Sequence, residues 1–104
     1  MSKQPLKLKD LNNNALLNRL ARRAHAHTIH NATEILEHSK VCGCCNCERI
    51  YEVSELGERD IVTELEGEPT VWCPYCGIDA VFGDGCGVRP TSSLLRRMYN
   101  IYFN

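Results

Sequence analysis

Two cysteine pairs with the same internal spacing constrain this chain more than any other feature. Cys44 and Cys47 are separated by two residues, as are Cys73 and Cys76, and twenty-five residues lie between the pairs. Two thiols at that spacing can face one metal ion from a single tight bend, and two such bends complete a tetrahedron. Pro74 stiffens the second bend, and Gly77 frees the backbone to turn sharply after it. The pattern predicts one structural zinc ion per chain, held by four thiolates.

The seven cysteines leave a second choice open, because Cys42 and Cys45 also have this spacing and could replace Cys44 and Cys47. The set Cys44, Cys47, Cys73 and Cys76 is preferred. It leaves Cys42 where a small thiol can be buried, with Cys45 on the outer surface of the bend. Cys86 is expected to be a free loop thiol. His38 could complete a site of three cysteines and one histidine, but four thiolates already suffice. His27 and His30 read as packing or interface residues.

The chain of 104 residues fits one domain with a small core. No run of apolar residues is long enough to span a membrane, and no hydrophobic stretch follows the basic N-terminus as in a signal peptide. A cytoplasmic location is therefore expected, where cysteines are more often metal ligands than disulfides. Charge is unevenly spread. Residues 1–40 carry a net of +4 and residues 48–68 a net of −6. Two solvated faces are the simplest account, although opposite faces can also attract, within a chain or between chains.

The expected fold is α+β: a small zinc-ribbon-like β-hairpin module flanked by N-terminal helices and a C-terminal helix. A flexible arm is expected over residues 1–9 and a single zinc-binding domain over 10–104. Within it, helices occupy 10–39, the ribbon 41–82, a glycine-rich loop 83–90 and the last helix 91–102. In the first helix Asp10 is the expected N-cap, with Leu11, Leu17, Leu20, Ala21 and Ala24 facing inward. Asn31, followed three residues later by Glu34, predicts the capped start of a second helix whose Ile35 and Leu36 face the core. Strands are expected over 50–53, 61–65 and 70–72, with a third short ribbon strand within 78–82. Thr91 should cap the last helix, whose stripe is Leu94, Leu95, Met98, Ile101 and Tyr102.

Two segments, Ser39-Lys40-Val41-Cys42-Gly43-Cys44 with Cys47, and Cys73-Pro74-Tyr75-Cys76-Gly77-Ile78-Asp79-Ala80-Val81-Phe82-Gly83-Asp84, resemble those of a family of small uncharacterised bacterial and phage-borne cytoplasmic proteins. The likeness covers roughly residues 27–103. It implies a zinc-ribbon-type domain with flanking helices and ligands at Cys44, Cys47, Cys73 and Cys76, and it carries no established activity. This chain departs from the family pattern in having Cys45 and Asn46 where aromatic residues are common, and Cys86 in a loop otherwise free of cysteine.

The expected function is that of a zinc-stabilised binding or adaptor module acting on a protein partner, in a regulatory or phage–host role, and not an enzyme. Self-association through the first and last helices is a related expectation. The alternative is nucleic-acid binding through the basic face of the first helix, with Arg19, Arg22, Arg23, Arg96 and Arg97 as candidate contacts. A redox or zinc sensor using the spare thiols, and a metal-dependent enzyme built on Asp79 and Asp84, rank below these.

Overall fold

The periodic apolar residues of the N-terminal third wind into α1, Leu8–His25. This computed structural model describes residues 8–103, with side chains from Asn14 onward. Most of the expected N-terminal arm therefore lies outside the described residues. Residues 8 and 9 belong to the helix, so Asp10 sits inside the first turn and is not its cap. The inward position expected for Leu11 lies outside the described side chains. Ala21 and Ala24 are fully buried, Leu17 and Leu20 partly so, as a stripe at three- and four-residue steps requires.

After α1 the chain reverses through His30, which adopts a left-handed φ of 52°, and enters α2, Ala32–His38. Ile35 is fully buried, but Leu36 is 47% exposed, against the expectation that both face the core. Successive helical residues lie about 100° apart, and the narrow inner face of so short a helix takes only one of them. Asn31 occupies the N-cap position, yet its side chain makes no capping bond. Its work lies elsewhere. Asn31 Nδ2 donates to the carbonyls of His27 and Val81, each at 2.8 Å, and Oδ1 accepts from the Val71 N–H at 2.9 Å. Glu34, expected to complete a capping box, instead pairs with His27 Nδ1 at 3.0 Å.

The strands are β1 (Val41–Cys44), β2 (Ile50–Glu52), β3 (Ile61–Val62), β4 (Thr70–Val71) and β5 (Val81–Gly83). They form two small antiparallel sheets, one ordered β2-β1-β5 and the other pairing β3 with β4. In the first, Cys42 faces Tyr51 on one side and Gly83 on the other, while Cys44 faces Val81. β1, the centre of this sheet, was not among the expected strands. The expected strand over 61–65 stops after two residues, and Leu65 stands fully in solvent.

The core gathers Ile35, Val71, Val81 and Phe82 with Leu94, Leu95 and Met98 of α3, Ser92–Tyr102. Full burial of each large apolar side chain contributes about 1.5–3 kcal/mol. Thr91 Oγ1 accepts from the Leu94 N–H at 3.2 Å and caps α3 as expected. α3 packs chiefly against α1, and their ends are joined by a His25–Tyr102 ring stack at 3.7 Å. Ile101 falls outside the buried stripe.

The glycine-rich loop folds as one 3-10 turn, Asp84–Cys86. Asp84 Oδ1 accepts from the N–H groups of Lys40 and Val41, at 2.8 and 3.3 Å. Ser39 Oγ accepts from the Gly85 N–H at 2.8 Å. A Cβ at Gly85 would lie 2.7 Å from the His38 carbonyl oxygen. The glycines thus let this loop clasp the junction of α2 and β1, which sets where β1 delivers its cysteines.

Candidate metal centre

β1 ends at Cys44, and the chain then bends through Cys47 into β2. The second bend, Cys73 to Cys76, follows β4. Both bends share one backbone frame. In the first, the Cys44 N–H donates to the Arg49 carbonyl at 3.0 Å and the Glu48 N–H to the Cys44 carbonyl at 2.8 Å. In the second, the Cys73 N–H donates to the Ile78 carbonyl at 2.9 Å and the Gly77 N–H to the Cys73 carbonyl at 2.9 Å. The residue after each second thiol is left-handed: φ is 64° at Glu48 and 74° at Gly77. This repeated frame distinguishes the Cys44/Cys47 bend from any built on Cys42 and Cys45.

The four sulfurs of Cys44, Cys47, Cys73 and Cys76 lie within 4.8 Å of one another. Cys44 and Cys76 are 3.6 Å apart, and Cys47 and Cys73 are 3.7 Å apart. Sulfurs about 2.3 Å from a central zinc define a tetrahedron with edges of about 3.8 Å. The cluster therefore has the size of a single four-thiolate metal site. Cys44 and Cys73 are buried, and Cys47 and Cys76 are half-buried. His38 is exposed and is not part of the cluster.

The surroundings favour a thiolate at Cys76 and a neutral thiol at Cys44 and Cys47. At Cys76, burial pushes the thiol up, but it is outweighed by donors from Asn46 Nδ2 at 3.5 Å, the Ile78 N–H and neighbouring thiols, and the group falls below its ordinary range. Cys44 is raised, first by burial, although the N–H groups of Cys47 and Asn46 act against that. Cys47 is raised by burial and eased by the Arg49 N–H. Metal entry must therefore displace protons, as thiolate ligation requires. Four thiolates fill all four positions of a zinc ion and leave none for water.

The remaining thiols lie outside the cluster. Cys42 is fully buried, as expected, and burial with the nearby Asp84 raises it to about 12. Cys45 was expected on the outer surface of the bend but is 1% exposed, because its N–H donates to Ala80 and draws the bend onto the strand β5. Burial raises it to about 11. Cys86 is buried in the glycine-rich turn and likewise raised by burial.

The arginines proposed for contacts scatter. Arg19 and Arg22 are exposed on α1. Arg23 donates from Nε to the Cys86 carbonyl at 3.2 Å, Arg96 pairs with Glu48 at 3.1 Å, and Arg97 donates to Asn14 Oδ1 at 3.2 Å. Among the described residues, no α1 arginine pairs with an acid of segment 48–68.

Three residues around the cluster were missed in sequence: Glu48, Asn46 and Tyr51. The position of Gly77 after Cys76 was the available signal for Glu48 after Cys47. Asn46 stood out only as a departure from the family's aromatic residues, and Tyr51 only as part of the strand expected over 50–53. No helix among the described residues is long and apolar enough to cross a membrane. Set against family models, curated proteins and solved structures, the chain finds no match in any of the three.

Proposed function

We propose that this chain is a zinc-stabilised binding module of the zinc-ribbon kind, akin to the small bacterial and phage-borne proteins it resembles, acting on a protein partner in the cytoplasm. The observation that carries the reading is the pair of matching bends holding four sulfurs at tetrahedral spacing. Zinc fits that cage in donor type, number and size. With every coordination position taken by protein, the metal maintains shape, and function falls to the surface.

That surface supports a protein partner better than a nucleic acid. Leu16, Ile29, Leu36, Ile101 and Phe103 are each at least 40% exposed, and such side chains are what a protein interface covers. Nucleic-acid binding is the second reading, favoured by the exposed Arg19 and Arg22. It is weakened because Arg23, Arg96 and Arg97 are engaged inside the chain. No catalytic role is assigned.

The test has two stages. Metal analysis of the purified chain should find one zinc, and its removal by a strong chelator should lower the thermal midpoint sharply. Capture from cell extract should then compare the wild type with a zinc-retaining Ile101→Glu, Phe103→Glu variant. A protein bound by the first and lost by the second is the expected result. Nuclease-sensitive, salt-sensitive capture that persists in the variant would replace this reading with the second.

A further inference from the structure

Tyr51 holds a hydroxyl where hydroxyls are costly. Its residue is 5% exposed, and the buried Oη has no hydrogen-bond partner. Native folds rarely leave such a group unpaired, and an exception asks for an explanation such as an ion or a charged acceptor. The ring is placed by its neighbours. Tyr51 pairs with Cys42 across β1 and β2. Its edge meets Tyr75 of the second bend at 5.4 Å. Burial first, then the neighbouring sulfurs of Cys73 and Cys42, hold the phenol well above its ordinary range. An ordinary phenol is protonated near neutral pH, so the hydroxyl is available as a donor.

We propose that Tyr51 is a positioning residue of the metal centre, its O–H donating to the Cys73 sulfur once that sulfur is a metal-bound thiolate. The inference rests on the zinc reading above and adds to it. A zinc ion with four thiolates carries a charge of −2, and a half-buried anion of that size needs donors around it. The cluster is already lined with them: N–H groups of Asn46 and Cys47 at Cys44, of Arg49 at Cys47 and of Ile78 at Cys76. Asn46 adds a side-chain donor at Cys76. Tyr51 supplies the matching side-chain donor at Cys73. Its orphaned hydroxyl and the charge it would meet answer one another.

The test is Tyr51→Phe in the full chain, which removes the oxygen and keeps the ring. Zinc affinity, measured by competition with a chelator of known strength, should fall by about ten- to a hundredfold. The sulfur-to-cobalt charge-transfer band of the cobalt-substituted protein should shift. Alkylation of Cys73 in the zinc-loaded variant, mapped by mass spectrometry, should be faster than in the zinc-loaded wild type. The metal-free variant should melt no lower than the metal-free wild type, since the lost hydroxyl had no partner there. Unchanged affinity and spectrum would overturn the proposal. So would an equal loss of stability in the metal-free and loaded forms, which marks packing alone. A wild type without a four-thiolate cobalt spectrum would instead remove the zinc reading itself.

Discussion

Glu48 and Gly77 occupy equivalent places after the second thiol of each bend, and both are left-handed. An L-residue there costs roughly 1–2 kcal/mol, and glycine escapes most of it. Glu48 recovers a little through Arg96, a partly exposed ion pair worth about 0.5 kcal/mol. Glu48→Gly should thus raise stability by up to about 1 kcal/mol in chemical denaturation. Gly77→Ala should lower it by about 1 kcal/mol through backbone strain, because a Cβ there meets nothing within 4 Å. Asn31 is the other residue whose side chain decides much. Asn31→Ala strands two carbonyls and one N–H in the interior, at a cost of about 3 kcal/mol, read from the denaturant midpoint. Its partners at Val71 and Val81 are 40 and 50 residues away, which is why sequence suggested only a local cap.

At the scale of elements, chemistry confined to a few neighbouring residues could be read in advance, and long-range pairing could not. The thiol bends, the Thr91 cap and the buried stripe of α3 each depend on spacing within a turn or two. β1 depends on β5, nearly forty residues downstream, and its Val-Cys-Gly-Cys sequence has no strand-like alternation. Gly43 in that strand is a packing residue, since a Cβ would sit 2.7 Å from Pro90 Cβ and 3.1 Å from Leu95. Gly43→Ala should cost about 1–3 kcal/mol by forcing α3 outward, with the thermal midpoint as the measure. The β3–β4 pair was overestimated because Leu65 continues the apolar alternation but has nothing to pack on. Its two-residue strands should lose hydrogen-exchange protection well before β1 does.

For the whole molecule, structural zinc contributes on the order of 10–16 kcal/mol in small modules, comparable to the entire stability of a typical domain. Cys73→Ser should therefore lower the thermal midpoint seen by circular dichroism steeply, and chelation should do the same to the wild type, leaving a weaker transition in the metal-free form. The two metal states should also respond to pH with opposite sign. In the metal-free fold, burial raises Cys42 to about 12 and Cys45 to about 11 from an ordinary value near 9. Stability from keeping these thiols neutral is full below about pH 9 and fades as pH rises toward those values. The loaded form should weaken as pH falls, because protons then compete for the thiolates. Melting curves of both forms across pH will separate them. The unequal bends add a direction in time. Gly77 takes its left-handed conformation at little cost, whereas Glu48 takes it against backbone strain. An incoming metal should seat first on Cys73 and Cys76 and be enclosed afterwards by Cys44 and Cys47. Stopped-flow cobalt uptake should show two phases, of which Glu48→Gly accelerates only the second.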